Sequence, residues 1–189
     1  DAAPLSLRLT SLTPAAALAG LIDTRQSRLH NRQMPRMPAD VVPLFERFTR
    51  GPAVVREAVE GAGPAIISRP GPEGWSIRDV IVHLADTELV RGLRLRRLIV
   101  EDEPHIEAID EQLWKRRLHY LWRSPEASLA LFELLRFTNA EILRECDAAT
   151  LARSGMHAED GRITVADFVR RGAEHAEEHA QQIIALRNR

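Results

Sequence analysis

The same short signal occurs twice in this chain, and each occurrence opens a long stretch that reads as helix. Ser76-Ile77-Arg78-Asp79 and Thr164-Val165-Ala166-Asp167 each set a hydroxyl residue three positions before an acid. In that spacing the hydroxyl oxygen accepts from the third helical N–H. The carboxylate reaches back to the N–H of the cap, so two donors left open at a helix start are satisfied together. After the first signal the chain runs to about Glu101 with Gly92 as its only internal breaker. Ile77, Val80, Ile81, Leu84, Leu95, Leu98 and Ile99 form one broad apolar face there. After the second it runs to about Arg187. Two such helices each carry an apolar stripe that only other elements can cover.

Two further helices supply that cover. Asp40 is the expected cap of the first, with Val41, Val42, Leu44, Phe45 and Phe48 at helical spacing. Gly51-Pro52 is expected to kink or break it, and Val54, Val55 and Val59 carry the pattern to about Gly61. Ser124-Pro125-Glu126 combines a cap, a proline at the first helical position and a first-turn acid; that helix runs to about Asp147. The segment from Gly63 to Gly74 reads as a loop, Glu103 to Trp122 as irregular or short helix, and the stretch holding Gly155, His157 and Gly161 as a turn region. No alternation lasts long enough to predict a strand. The expectation is an all-α four-helix bundle over residues 40–189, up-and-down by default, with short extra helices in the connections.

Residues 1–39 are rich in Ala, Pro, Arg and Ser and weakly periodic. They are expected to be an N-terminal extension outside the core fold, or an upstream reading-frame artefact, with at most a short helix at Pro14–Ile22. The apolar run Ala15–Ile22 behind Arg8 faintly resembles a secretory signal, but it is short and interrupted by Gly20.

With a formal net charge of −1, the chain offers no strong basic field, and neither nucleic acid nor a membrane is expected as a partner. Arg91, Arg94, Arg96 and Arg97 form a local basic cluster, read as a solvated helix face. No apolar run approaches the roughly 20 residues of a membrane span. The single cysteine, Cys146, permits no intramolecular disulfide and is expected to be a small buried hydrophobe; a cytoplasmic location is expected.

Seven histidines occur. His30, His105 and His119 fall in or beside loops and are expected to be solvated. His175 and His179 lie one turn apart on a single helix face. Phe168, Gly172, His175, His179, Ile183 and Leu186 recur at steps of three and four, so the pair occupies the middle of the buried seam. Imidazoles on a buried seam need partners, and a metal ion takes one nitrogen from each. Ala176 stands where a zincin carries its catalytic glutamate, so that mechanism is excluded. His83, within the apolar stretch Val80–Leu84, can join the pair if the two capping-box helices are neighbours. Three histidines leave an open position, the plan of a reactive site.

Trp75-Ser76-Ile77-Arg78-Asp79 followed by His83-Leu84-Ala85-Asp86-Thr87-Glu88 resembles the second helix of the DinB-like family, which includes YfiT-type metal-dependent hydrolases. Ile109-Asp110-Glu111 with Trp114, Gly155-Met156-His157, Gly161-Arg162-Ile163-Thr164, and Glu174-His175-Ala176-Glu177-Glu178-His179 with Gln182-Ile183 extend the likeness over about residues 40–187. The resemblance implies a four-helix bundle, often a homodimer, with His83, His175 and His179 as ligands of a divalent metal. Nickel or zinc leads; imidazole also suits manganese or iron. His157 matches a histidine that recurs before the last helix, and is expected near the site.

The expected activity is metal-dependent hydrolysis of a small-molecule ester or amide, with Asp86 or Glu178 as candidate base. An alternative is a transferase that directs a low-molecular-weight thiol to an electrophile, with Arg94 available to an anionic group. A third is a non-catalytic dimeric bundle or stress protein that metal merely stabilises.

Overall fold

Residues 36–189 are described by the structure, a computed structural model. The expected helix at Pro14–Ile22, His30, and the proposed extension up to residue 35 lie outside them. The helices are α1 (Val42–Val59), α2 (Pro64–Ser68), α3 (Ile77–Val100), α4 (Glu111–Arg117), α5 (Pro125–Arg144), α6 (Ala148–Ala152) and α7 (Val165–Arg187). The strands are β1 (His105–Ile106), β2 (Ser154–His157) and β3 (Gly161–Thr164), and Tyr120–Trp122 makes a single 3-10 turn. No described helix is long and apolar enough to cross a membrane.

Both capping boxes form. Ser76 Oγ accepts from the Asp79 N–H at 3.2 Å while Asp79 Oδ2 accepts from the Ser76 N–H at 2.9 Å. Thr164 and Asp167 repeat the exchange at 3.0 and 3.1 Å. Ser124 caps α5, accepting from the Ala127 N–H at 3.1 Å.

Asp40, in contrast, does not cap α1. Val41 occupies the cap position without a side-chain bond, and Pro43 in the first turn presets the backbone there. Nor does Pro52 end α1. A proline in a helix interior leaves the carbonyl four residues back without its N–H. Here that carbonyl belongs to Phe48, and it accepts from Arg136 Nη1 at 2.7 Å instead. The expected loop after Gly63 contains α2, with a proline in its first turn.

The turn region also proves more regular than its sequence suggests. Asp147 caps the short α6, and β2 and β3 form an antiparallel hairpin, with β1 added in parallel against β2. Strands of two and four residues are too short for alternation to show, and β1 is held by pairing with a distant segment.

Of the consecutive long helices only α3 and α5 pack on each other, whereas a simple up-and-down order would have every one pack on the next. α1 packs chiefly on α7 and α3 on α5, and α1–α5 and α3–α7 contacts close the ring. Segments 60–76 and 145–164 are long enough to cross the bundle ends, which places α1 diagonal to α3 and α5 diagonal to α7. That crossing makes α3 and α7 neighbours, and the two capping-box helices share a seam.

The core has two apolar parts. One gathers Phe45, Phe48, Leu95, Leu98, Ile106 and Phe168; the other Val55, Trp75, Ile81, Leu84, Phe132 and Ile183. Cys146 is buried at the edge of the first, and burial pushes its thiol up to about 11.

Between the two parts lies a polar layer. Arg136 on α5 holds Glu88 of α3 through two parallel bonds of 2.9 and 2.8 Å, and Asn139 Nδ2 donates to the same carboxylate at 2.9 Å. The Arg136 guanidinium also donates to the Phe48 carbonyl of α1 and, at 3.1 Å, to the Gly172 carbonyl of α7. Its face lies 4.1 Å from the Phe48 ring centroid. One side chain therefore ties all four long helices together. Glycine at 51 and 172 makes room for it: a Cβ on Gly51 would come within 2.8 Å of Arg136 Nη1, and one on Gly172 within 2.6 Å of the Phe48 ring.

Candidate metal centre

His83, seven residues into α3, meets His175 and His179 from α7. The Nε2 atoms of His83 and His175 are 3.1 Å apart, and those of His179 and His175 are 3.2 Å apart. One ligand atom from each of the three rings lies within 4.8 Å of the others. His83 is buried, and the α7 pair is half-buried. Two imidazole nitrogens bound to one zinc-sized ion at 2.0–2.1 Å and a tetrahedral angle lie about 3.4 Å apart. The observed spacing fits such an ion.

The surroundings turn the lone pairs inward. Gln182 Oε1, one turn along α7, accepts from His179 Nδ1 at 2.8 Å. That contact assigns the proton to Nδ1 and leaves the Nε2 lone pair facing the cluster. Trp75 stands edge-on to the His83 ring, with centroids 5.5 Å apart.

Burial, then the neighbouring His179 and Arg91, hold His83 down at about 3. His175 is held well below the ordinary histidine range by burial and Arg91, and His179 is lowered chiefly by burial, against Gln182, Glu111 and Glu178. All three rings are therefore neutral at neutral pH, the form that donates a lone pair to a metal. Three neutral imidazoles whose Nε2 atoms face one another are the donor set a divalent cation satisfies.

The two expected acids stand in different surroundings. Asp86 is buried and paired with Arg123 at 2.6 Å. Glu178 is exposed on α7. The carboxylate beside the cluster is Glu111, whose Oε1 lies 3.7 Å from His83 Nε2 and whose side chain is 50% exposed. Glu111 is not among the site residues expected from sequence; its signals there are its place in the Ile109-Asp110-Glu111 stretch that carries the family likeness and its position just after Asp110, which caps α4 by accepting from the Leu113 N–H at 2.8 Å.

His157, at the end of β2, is not one of the three converging ligands. Its Nδ1 lies 3.1 Å from Asp160 Oδ2, and it lines a cavity of about 170 Å³ that Glu111 also borders. His105 and His119 are exposed. The arginines expected to form one solvated face divide: Arg96 is exposed and bonded to Asn139 at 3.0 Å, while Arg91 and Arg94 line the cavity.

A bundle whose crossed connections bring three histidines from two antiparallel helices together defines a recognisable class of metal-site protein. Residues 47–183 match the model of the DinB superfamily, and the chain belongs to that family. A candidate metal-dependent hydrolase of Oceanobacillus iheyensis, OB0782, is 33% identical over 114 residues, which cover 60% of this chain and 65% of that one. The match thus spans just under two thirds of that relative. YfiT of Bacillus subtilis, also named a candidate metal-dependent hydrolase, is 27% identical over 140 residues, 73% of this chain and 79% of its own. The solved YfiT structure, described as a four-helix bundle of unusual topology, superposes with a TM-score of 0.74 at 23% identity. The superposition covers 82% of this chain and 90% of that one, and establishes the shared fold.

Proposed function

We propose that this protein is a metal-dependent hydrolase of a small-molecule ester or amide. His83, His175 and His179 hold a divalent ion, nickel or zinc, through their Nε2 atoms. The reading is carried by the convergence of three neutral ring nitrogens from two helices. It is supported by the names of the relatives, which are themselves candidate metal-dependent hydrolases.

A divalent ion held by His83, His175 and His179 would supply Lewis acidity toward a substrate carbonyl and an attacking water. The chain's own residues do the rest. Gln182 holds the His179 ring in one tautomer. Trp75 and the apolar neighbours of His83 keep bulk water from the back of the site. Glu111, half-exposed and beside His83, receives the proton of the attacking water. Asp86 is less suited to that task because Arg123 already occupies its carboxylate, and Glu178 because it stands in solvent.

The test is elemental analysis of the purified chain beside His179→Ala and Glu111→Gln, with turnover of a panel of esters measured on each with and without added metal. Wild type should carry a single ion and turn over esters in its presence. His179→Ala should lose the ion. Glu111→Gln should keep it and lose roughly a hundredfold or more in rate. Full metal in His179→Ala would refute the ligand assignment, and an unchanged rate in Glu111→Gln would refute the base.

A further inference from the structure

The α3–α7 seam continues past the histidines. Arg91 follows His83 by two turns on α3, and Arg171 precedes His175 by one turn on α7, as antiparallel neighbours require. With Arg94 and Phe168 they wall the cavity of about 170 Å³ that also reaches Glu111, beside the metal centre. At roughly 30 Å³ per water, that is room for about five waters, or for one compact polar group.

The charges around this cavity are not equally committed. Arg171 is paired with Asp160, which also faces His157. Arg94 donates only to the backbone carbonyl of Glu107. Arg91 is different: its Nε is buried with no hydrogen-bond partner among the described residues. Its guanidinium carbon lies 6.0 Å from the centroid of the Phe168 ring. Glu88, one turn earlier on α3, is held by hydrogen bonds from Arg136 and Asn139 and makes none to Arg91. Burial lowers Arg91 to about 10, which leaves it charged at neutral pH. A planar guanidinium kept charged, poorly solvated and unpaired at a cavity wall is a receptor for an oxyanion, which its parallel N–H groups match.

We propose that the cavity is an anion subsite, in which Arg91, assisted by Arg94, receives a carboxylate or phosphate group of the substrate whose labile bond lies at the three-histidine centre. The proposal rests on the hydrolase reading above and narrows it to anionic substrates. Glu111, Glu159 and Asp160 also line the cavity and repel an anion, Asp160 being paired with Arg171, so recognition falls to the Arg91 guanidinium.

The test titrates the full-length, metal-free chain with succinate and, separately, with inorganic phosphate at fixed ionic strength. Wild type, Arg91→Leu and Arg91→Lys are compared by calorimetry, with urea unfolding of each. Wild type should bind at least one probe, and which one binds separates carboxylate from phosphate recognition. Arg91→Leu should weaken binding about tenfold or more, Arg91→Lys less, and neither should lose stability, because Arg91 makes no hydrogen bond or ion pair among the described residues. Binding of neither probe by wild type, or equal affinity in Arg91→Leu, would overturn the subsite. So would a loss of stability in both variants, which would make Arg91 structural. Metal content, measured on the same samples after loading, keeps the two readings apart: metal bound without anion binding sinks only the subsite, and anion binding without metal sinks only the metal centre.

Discussion

Replacing Glu88 by methionine should strand the Arg136 guanidinium in the middle of the bundle. Both side chains are 1% exposed and joined by two bonds of 2.9 and 2.8 Å. Methionine nearly matches glutamate in volume, so the effect is electrostatic and not that of a cavity. Breaking a buried pair by removing one partner costs about 3–5 kcal/mol. Arg136 keeps the Phe48 and Gly172 carbonyls and its stacking on Phe48, which favours the lower end of that range. A loss of about 3 kcal/mol corresponds to a fall in melting temperature of about 6–12 °C in a domain of this size. Urea denaturation of Glu88→Met, Arg136→Met and the double variant measures both the loss and the coupling. The double variant should recover most of the loss, because an apolar pair of similar volume replaces the ions. Gly172 stands one turn before His175, and Glu88 follows His83 on α3, so Glu88→Met should also weaken metal binding. A single-variant cost below about 1 kcal/mol, or strict additivity in the double variant, would refute the view that Arg136 ties the helices together.

Two further outcomes follow from the same geometry. Gly172→Ala should destabilise the fold by about 1 kcal/mol in urea melts, because the new Cβ would lie 2.6 Å from the buried Phe48 ring and overpacking outweighs the gain in helix propensity; equal or greater stability would contradict the packing. In the metal-free chain, the folded state holds His83 at about 3, below its ordinary 6.5, so the unfolded chain takes up the proton first as pH falls. The stability due to His83 is therefore complete above about pH 6.5 and is lost below it, at up to about 1.4 kcal/mol per pH unit, until about pH 3. Urea midpoints recorded from pH 8 to 5 should show the decline, and a flat profile would show that the ring is not buried neutral.

Much of the bundle is legible in the sequence because its signals are local. The capping boxes at Ser76 and Thr164 involve residues three apart, and the seam from Phe168 to Leu186 follows from the pitch of one helix. The His175–His179 pair shares a face for the same reason. Other features resist such reading. Pro52 looks like a helix breaker until Arg136, 84 positions away (136 − 52), is seen to take up the carbonyl it frees. The hairpin β2–β3 carries too few residues for a pattern. Glu111 enters the site from a connection whose path depends on α4 packing near α3.

The sequence alone therefore determined where the long helices begin, which faces they bury, and that two imidazoles interrupt one of those faces. These are short-range consequences of backbone hydrogen bonding and of 3.6 residues per turn. The ring order of the helices, and with it the meeting of His83 with His175 and His179, was decided by tertiary structure, because connections that cross the bundle ends obey no local pattern. The same is true of the acid beside the site. Glu111 is far from His83 along the chain yet lies beside it in space, because proximity across a core is set by packing and not by sequence distance.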